Sequence, residues 1–459
     1  MARLAPTTLV ACLIAVFASV ATARADAPLP PDYFGMNVNR VLFDDHEAWH
    51  TTPLAAAHAA GATHGRIDFP WDAVQPTGPR RTDYTWTDKA VESLARQGMV
   101  ATPMLGYSAP WAAYIPGNTH SPPRNTSDYA AFARLMVLRY GPNGVYWKKH
   151  PFTPYLPIHR WEIWNEPNLA RVFWQSGRSP DAYARLYLAA RAVIKAVDPT
   201  AQVIVGGLSS EDIPFLAEMF TAHPELHGQV DGLGIHPYGA TSEDVLVAVK
   251  NFRALLDMEG ESAVPMEVTE VGWQRQGNTN LTVDELTRAR DMNDVTNAVA
   301  RSDCDIDAYE PYTWETAEQD PADGEDWFGM WSPTQGLLPS GQAFANSTVQ
   351  YATPDERVAA RSTNLLRICR PPAQPLSVRV QARGTRLRVQ VRAGAKGVKS
   401  ALVAVQSGSR KDALVTGNHG YVYYRPSRSA TRVKITAAAY GFAGSRPVVH
   451  RISHKLPRR

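Results

Sequence analysis

Short apolar runs alternate with longer amphipathic runs along residues 33–347. The short runs are rich in Val, Ile and aromatic residues and end at Gly, Pro or Asn, which is typical of buried strands. They predict eight strands, at residues 34–38, 64–69, 100–105, 158–164, 202–207, 232–236, 266–269 and 307–312. The amphipathic runs between them predict helices, because apolar residues recur there at intervals of three and four.

The helix predicted over residues 179–197 has the clearest boundaries. Ser179 can cap its first turn, and Pro180 suits the first helical position. Asp198 precedes a proline, which disfavours helical backbone and ends the helix. Its apolar stripe consists of Tyr183, Leu186, Tyr187, Ala190, Val193, Ile194 and Val197. A second helix is predicted over residues 128–140.

Eight strand–helix units in about 310 residues favour an α/β fold of the (β/α)8 TIM-barrel type. Parallel strands need crossover helices, and eight such strands close into a barrel. An open, doubly wound sheet is the alternative. Such a sheet usually carries a glycine-rich phosphate loop after its first strand, and this sequence has only the isolated pair Gly206-Gly207 after the fifth strand.

The chain changes character after Cys369. Residues 370–375 contain three prolines and predict an extended connection. Short β-like runs follow at residues 376–380, 386–391, 400–405, 420–424 and 432–439, and they predict a small β-sandwich. We therefore expect a catalytic barrel over residues 26–350, a linker over 351–375 and a basic β-sandwich domain over 376–459.

The first 25 residues predict a signal peptide. Arg3 is followed by an apolar stretch at residues 9–20, and Ala23-Arg24-Ala25 offers small residues for cleavage. Cleavage after Ala25 would make the protein secreted or cell-surface bound and would leave no transmembrane span. A lipoprotein box at Cys12 is an alternative, but too little apolar chain precedes that cysteine. An uncleaved anchor is another, although the run is short for a membrane span.

Charge is distributed unevenly along the chain. The 459 residues carry a net charge of +3, yet residues 370–459 hold 19 Lys and Arg against the single acid Asp412. The part before residue 370 is acidic. The basic domain could bind an anionic cell-surface polymer, or it could be a solubilising surface that packs on the acidic barrel. Nucleic-acid binding is not expected, because the chain is predicted to be exported and has no recognition module.

Cys304 and Cys369 are the two cysteines that remain after signal cleavage. In an exported protein these two cysteines could form a disulfide that joins the two domains, or they could equally be two separate buried thiols. Neither cysteine lies in a metal-binding motif, and the histidines lack the His-Glu-x-x-His spacing of zinc enzymes. No metal site is therefore predicted.

Two glutamates lie at predicted strand ends. Catalytic groups of (β/α)8 barrels lie where strands end, at one face of the barrel. The fourth strand ends at Glu166 and the seventh at Glu270. Glycosidic cleavage needs such a pair, with one carboxyl protonated and the other ionised. Three nearby acids are alternatives that more simply form ion pairs inside the barrel: Glu162, Glu267 and Glu310.

The segments around these glutamates, residues 164–168 (WNEPN) and 269–273 (TEVGW), resemble the signature pair of the clan A glycoside hydrolases. Within that clan the chain is most similar to families 39 and 5. The resemblance implies hydrolysis of an oligo- or polysaccharide with retention, with Glu166 as acid/base, Glu270 as nucleophile and no cofactor. Transglycosylation by the same intermediate and a non-catalytic carbohydrate-binding protein remain alternatives.

The resemblance also assigns substrate-binding residues. Asn165 is expected to contact the sugar hydroxyl beside the reacting carbon, and Arg66 to keep the nucleophile ionised. His236 and Tyr238 resemble the sixth-strand His-x-Tyr pair, whose tyrosine donates to the nucleophile. Trp314 resembles the aromatic floor under the reacting sugar. From the residues alone, the alternatives are that Arg66 forms a structural salt bridge and that His236 is a core histidine.

Overall fold

A computed structural model describes residues 27–43, 47–370, 375–427, 429–439 and 444–452. The predicted signal peptide lies outside the described residues, so its assignment stays a prediction.

Eight parallel strands form the first domain, and they pair in sequence order. Phe34, just before the first strand, makes a parallel bridge to Tyr309 at the end of the eighth, so the sheet closes on itself. This arrangement confirms the predicted barrel, and the alternative prediction of an open, doubly wound sheet is wrong. The strands are β1 (Gly35–Asn37), β2 (His64–Pro70), β3 (Val100–Gly106), β4 (Arg160–Ile163), β5 (Gln202–Ser209), β6 (Gly232–His236), β7 (Met266–Val268) and β8 (Ile306–Tyr309).

Helices surround the barrel and follow its strands. They are α1 (Asn39–Phe43), α2 (Glu47–Ala59), α3 (Trp71–Val74), α4 (Thr85–Arg96), α5 (Thr126–Tyr140), α6 (Val145–Lys149), α7 (Pro180–Val197), α8 (Pro214–Ala222), α9 (Ser242–Glu259), α10 (Glu285–Ala300), α11 (Pro339–Thr348) and α12 (Pro354–Ala360). The hydroxyl of Ser179 accepts a hydrogen bond from the Ala182 N–H, as expected of a cap on α7. None of the described helices is long and apolar enough to cross a bilayer.

Strand β2 shows how the barrel is packed. Successive side chains of a strand point to opposite faces of the sheet. Phe69 points outward and contacts the ring of Tyr140 on α5, 5.4 Å away. His64 and Arg66 instead reach across the barrel, and Arg66 Nε lies 2.6 Å from Glu162 on β4. The side chains that β2 directs into the barrel are therefore polar.

The second domain contains two antiparallel sheets. A short hairpin, β9 (Trp331–Ser332) and β10 (Gly336–Leu337), precedes it in the loop after β8. The sheets are built from β11 (Leu376–Arg383), β12 (Arg386–Ala393), β13 (Lys396–Gly397), β14 (Leu402–Ser407), β15 (Arg410–Val415), β16 (Tyr421–Tyr424), β17 (Arg432–Ala438) and β18 (Val448–Arg451). In the first sheet β12 pairs with β11, β13 and β16, and the second runs β15-β14-β17-β18. Their inner faces share one buried cluster, which confirms the β-sandwich.

A disulfide holds the end of the barrel domain. Cys304, just before β8, is bonded to Cys369. Arg361, which follows α12, donates to the carbonyl oxygens of Ala300 and Ile306. Residues 351–370 of the predicted linker are thus folded against the barrel, and residues 371–374 lie outside the described residues.

The second sheet of the sandwich packs on the barrel, with β15 against α8 and β14 against α9. Lys411 Nζ on β15 lies 2.7 Å from Glu259 Oε2 at the end of α9. The Thr221 hydroxyl donates to the Lys411 carbonyl at 3.3 Å. An acidic barrel and a basic domain therefore meet through complementary charge.

Candidate active site

Glu166 follows β4 in a segment with unusual backbone geometry. Trp164 has φ 68° and Glu166 has φ 43°, both in the left-handed region that non-glycine residues seldom adopt. The Glu166 N–H donates to the Gly207 carbonyl at 3.1 Å, and the Trp164 N–H donates to the Leu105 carbonyl at the same distance. Neighbouring strands thus hold a conformation that costs energy locally, as is common at active sites.

Glu270 lies two residues after β7, and each of its carboxylate oxygens has a donor. Arg66 Nη1 lies 2.7 Å from Oε1, and the Tyr238 hydroxyl donates to Oε2 at 2.9 Å. Burial and the neighbouring Glu166 raise the pKa of Glu270, while Arg66 and the Tyr238 hydrogen bond oppose that rise. An ion pair and a hydrogen bond to the charged form are what a buried carboxylate needs to stay ionised.

Arg66 is fully buried and connects four side chains at the mouth. Its Nε and Nη2 both donate to Glu162, at 2.6 and 3.2 Å. Nη1 donates to Asn37 Oδ1 as well as to Glu270, and Nη2 donates to Asn165 Oδ1 at 2.9 Å. The expected contact of Arg66 with the seventh-strand glutamate is present. The same guanidinium also fixes the orientation of the Asn165 amide.

His236 lies between the two glutamates. Its Nδ1 is 2.9 Å from Glu166 Oε1 and 3.6 Å from Glu270 Oε2. Burial lowers the pKa of His236 to about 4, so the ring is neutral at pH 7 and carries one N–H. Nε2 is buried without a hydrogen-bond partner among the described residues, so we assign the proton to Nδ1, which faces acceptors.

The ring of His236 lies directly on the backbone of β5. A Cβ atom at Gly207 would be 2.0 Å from His236 Nε2, so only glycine allows the ring this close. Gly207 therefore leaves room for the histidine beside both glutamates, and Gly206 leaves room for the backbone of β4, since a Cβ atom there would lie 2.1 Å from the Trp164 carbonyl oxygen.

Glu166 differs from Glu270 in its contacts: the Arg66 guanidinium bonds directly to Glu270, whereas Glu166 contacts the ring of His236. Burial raises the pKa of Glu166 to about 8; Arg66 lowers it, and Glu211 and Glu162 raise it further. Glu166 therefore holds a proton at pH 7. A protonated carboxyl beside a second carboxyl that is held by a cation is the arrangement that acid and nucleophile roles require.

The glutamates line a cavity of about 470 Å³ at the mouth of the barrel. Its wall is aromatic and acidic. The aromatic residues are Tyr107, Phe173, Tyr238, Tyr312 and Phe328; the further acids are Asp68, Glu211 and Glu325. No Lys, Arg or His is among the described residues that line it. A cavity of this size with aromatic walls suits a small polar ligand such as a sugar.

The three additional acids were missed from the sequence. Asp68 lies two residues after Arg66 on β2, so period-two alternation could have placed both on one face. Glu211 lies just after β5, at a strand end. Glu325 lies in the long loop after β8, at residues 316–331. Glu325 accepts a hydrogen bond from Tyr312 at 3.1 Å, so this loop does border the cavity.

Trp314 differs from expectation. Its side chain is fully buried and is not among the described residues that line the cavity. Hydrogen bonds from its N–H to the Asn37 carbonyl and from the Trp331 N–H to its own carbonyl fix its backbone, and its ring stacks on Trp331 at 6.2 Å. Trp314 therefore packs in the core, and the tyrosines and phenylalanines supply the aromatic wall.

The alternative acids form ion pairs inside the barrel. Glu267 lies 3.1 Å from Arg160, and Glu310 lies 2.9 Å from His64. Glu162 also forms an ion pair, but its partner is Arg66. It therefore belongs to the network that supports Glu270.

Comparison with known proteins gives one family match. Residues 163–344 match the glycosyl hydrolase catalytic core family, and this segment contains β5 to β8 together with both glutamates. No match is found among curated proteins.

Solved structures show the same fold at low sequence identity. A family 39 glycoside hydrolase from Bacteroides cellulosilyticus WH2 has a TM-score of 0.53 and 17% identity over 88% of this chain and 80% of its own. A GH39 β-xylosidase from Caulobacter crescentus has 0.51 and 20%, over 83% of each chain. A GH5_18 enzyme from Streptomyces cattleya, in complex with GlcNAc, has 0.53 and 13%, over 73% and 88%.

Proposed function

We propose that this chain, a glycosidase by its catalytic-core match and its site, cleaves an oligo- or polysaccharide with retention of anomeric configuration. In this proposal Glu166 is the acid/base and Glu270 is the nucleophile. The observation that carries it is the contact of both carboxyls with one nitrogen of His236.

The separation of the two carboxyls supports retention. Their oxygens lie 2.9 and 3.6 Å from His236 Nδ1, so the two oxygens cannot be further apart than the sum of these distances. Carboxyls of retaining enzymes lie about 5–5.5 Å apart, whereas inverting enzymes need about 6.5–9.5 Å to admit a water molecule. The upper bound only just reaches the inverting range.

The chemistry follows from the two protonation states. Ionised Glu270 attacks the anomeric carbon and forms a glycosyl ester, while the Glu166 proton passes to the leaving oxygen as the glycosidic bond breaks. Glu166, now a carboxylate, takes a proton from water, whose oxygen attacks the same carbon and releases Glu270. The second step returns Glu166 to its protonated form, so the cycle is balanced.

Asn165 and Tyr238 assist in different ways. Because Arg66 donates to Asn165 Oδ1, the amide nitrogen is the group that Asn165 can offer to a sugar hydroxyl. Tyr238 donates to Glu270 Oε2 and leaves Oε1 to Arg66. The contacts of Tyr238 and Arg66 with Glu270 orient the nucleophile before the substrate binds.

The charge of the cavity favours a neutral or cationic sugar. Asp68, Glu211 and Glu325 line it beside the catalytic pair. A uronic acid would bring a like charge close to these groups, which Coulomb repulsion disfavours. The similar structures are consistent with this proposal, since one is a β-xylosidase and another holds GlcNAc, and both sugars are neutral.

Substitution of the two glutamates tests the mechanism. Glu270→Gln and Glu166→Gln should each lower kcat by about 10²–10⁴-fold or more on a screened glycoside substrate, while sugar binding is retained. Azide should partly restore Glu166→Gln on a substrate with a good leaving group. The matched control is Glu92→Gln on the exposed side of α4, which should keep full activity.

The anomer of the first product, read by NMR, separates retention from inversion. Inversion, or full turnover by either catalytic variant, would contradict the assignments. Sugar binding by the wild type without turnover would favour the non-catalytic alternative. Products longer than the substrate, formed with added acceptor sugar, would indicate transglycosylation.

Export and attachment complete the proposal. The signal-like residues 1–25 support a secreted or cell-surface enzyme, and N-terminal sequencing of the exported protein should begin at Asp26. The excess of 19 basic residues over one acid in residues 370–459 supports attachment of the second domain to an anionic cell-surface polymer.

A further inference from the structure

The outer face of the first sheet of the sandwich carries arginine and tyrosine side chains. On β11 and β12 the apolar residues Val378, Val389 and Val391 point inward. The pairing register places the intervening residues together on the other face, because directly opposite residues of an antiparallel pair share a face. We call this surface the arginine face; it consists of Arg379, Arg383, Arg386, Arg388, Arg392, Tyr421 and Tyr423.

The arginine face has no acidic partner in the part of the chain that the structure describes. The only acid in residues 370–459 is Asp412. It lies on β15 in the other sheet, where it accepts hydrogen bonds from Arg410 and from the Tyr424 hydroxyl. Within the described residues, none of the five arginines of the arginine face forms an ion pair. Their positive charge is therefore available to a ligand.

The arginine face and the barrel lie on opposite sides of the sandwich. The second sheet meets the barrel through β14 and β15, where Lys411 forms the ion pair with Glu259. The arginine face belongs to the first sheet and points away from the second. A long ligand could lie along it without meeting the barrel domain.

Two tyrosines extend the surface in a way that suits sugar rings. Tyr423 lies directly opposite Arg388 in the register and is 52% exposed. The Arg388 guanidinium lies 4.7 Å above the ring of Tyr421, which holds its planar group in place. An exposed aromatic ring accepts the C–H face of a sugar, and a fixed guanidinium binds a carboxylate, sulfate or phosphate group through two hydrogen bonds.

We propose that the arginine face binds an acidic polysaccharide and holds the glycosidase on it. This deepens the proposed attachment of the second domain by naming the surface and the ligand chemistry. The acid-lined cavity of the barrel would repel the same polymer, so the polymer that is bound differs from the chain that is cut. A polysaccharide is favoured over a nucleic acid because attachment to a sugar matrix raises the effective concentration of a glycosidase near its substrate.

Binding of the full-length protein to defined polymers tests the proposal. The probes are polygalacturonate for carboxylate, heparin for sulfate and a polyglycerol phosphate for phosphate, with dextran as the neutral polymer and single-stranded DNA as the competing polyanion. The wild type should bind at least one acidic polysaccharide more tightly than DNA and should not bind dextran. Added salt should weaken the binding, because exposed charges are screened.

Matched double variants locate the surface. Arg379→Gln with Arg383→Gln removes two charges from the arginine face and should weaken binding about tenfold. Arg432→Gln with Arg451→Gln removes two exposed charges from residues that lie opposite each other on β17 and β18 of the other sheet. This double variant should weaken binding less than about threefold. Tyr423→Ala should lower affinity for polysaccharide while leaving binding to DNA unchanged. If the first double variant does not fold, Arg379→Gln alone should still weaken binding about threefold.

Several results would overturn the inference: no binding to any acidic polysaccharide, tighter binding to DNA, or equal loss in the two double variants. Turnover of a small soluble glycoside is measured in parallel. It should be unchanged in all of these variants, and it reports on the proposed hydrolysis independently. An active wild type that binds no polyanion would overturn the arginine-face proposal alone, whereas binding without turnover would overturn the proposed hydrolysis alone.

Discussion

The mouth of the barrel and the arginine face each carry several ionisable groups of one sign, but these groups differ in their burial and in their partners. At the mouth the carboxyls are buried, and Glu270 is held by Arg66 and Tyr238. On the arginine face the side chains lie on the outer side of a sheet and lack acidic partners among the described residues. Buried charge that is held by partners acquires a defined protonation state. Exposed charge without partners remains available for attraction over a distance.

This difference explains why one chain can carry an acidic barrel and a smaller basic domain. Burial raises the pKa of Glu166 to about 8, whereas Arg66 and Tyr238 donate to Glu270 and favour its charged form. Acid–base catalysis uses such a difference between two carboxyls. The basic domain needs no such tuning, since a guanidinium is charged at every pH that the fold survives. The comparison predicts that substitutions at the mouth are costly and that those on the arginine face are mild.

The largest expected effect is at Arg66. Arg66→Met leaves Glu162 and Glu270 buried without their cation, so we expect about 3–5 kcal/mol less stability and about 10²–10³-fold lower kcat. Urea unfolding and steady-state kinetics measure both. Arg379→Met on the arginine face is the control and should cost less than about 0.5 kcal/mol with kcat unchanged. Equal losses at the two arginines would break the comparison.

Substrate charge should produce the next largest effect. For the sugar that the enzyme cleaves, replacement by the corresponding uronide should lower kcat/KM about tenfold to a hundredfold, because the cavity acids repel it. Glu211→Gln combined with Glu325→Gln should reduce this discrimination several-fold. The ratio of kcat/KM for the two substrates measures it. Efficient cleavage of the uronide by the wild type would show that the mouth does not select by charge.

A smaller effect is expected where the two domains meet. A double-mutant cycle with Lys411→Met and Glu259→Gln should give a coupling of about 1 kcal/mol in thermal unfolding, because Glu259 is nearly buried there. The control cycle on the exposed pair Arg96–Glu92 should give about 0.3–0.5 kcal/mol. A coupling no larger than the control would mean that the ion pair does not hold the domains together.

The smallest effect concerns pH. The proposed mechanism requires protonated Glu166, so we expect kcat/KM to fall as pH rises through about 8. Glu211 contributes to the raised pKa, so Glu211→Gln should make ionisation easier and move this fall to lower pH by a few tenths of a unit. The pH profile of kcat/KM measures the shift, with Arg379→Gln as the control. A shift to higher pH would contradict the assignment of Glu166 as the acid.

Much of the fold and the centre of the site could be predicted because their signals are local. Strand ends and the motifs at residues 164–168 and 269–273 can be identified without pairing information. The direction in which the Trp314 side chain points could not be predicted in this way. It depends on contacts with Asn37 and Trp331, which are distant in sequence. The ring of acids was missed for a similar reason, because Glu211 and Glu325 come from separate loops that only the closed barrel brings together.

The second domain shows the same limit. Its excess of basic residues is evident from composition, and it predicts an anionic partner. The position of that charge could not be predicted from composition. Alternation in β11 shows that Arg379 and Arg383 share a face, but it does not show which strands lie beside them. The pairing of β12 with both β11 and β16 is what brings five arginines and two tyrosines onto one surface.

The neutral ring of His236 has a consequence for the reaction as it proceeds. In the proposed reaction the negative charge is on Glu270 before the first step and on Glu166 after it, and Nδ1 of the same imidazole is near both acids. The N–H at Nδ1 can stabilise whichever acid is ionised, and the ring needs neither to move nor to exchange its hydrogen. His236 would then be a stationary partner for a charge that changes place twice in every turnover.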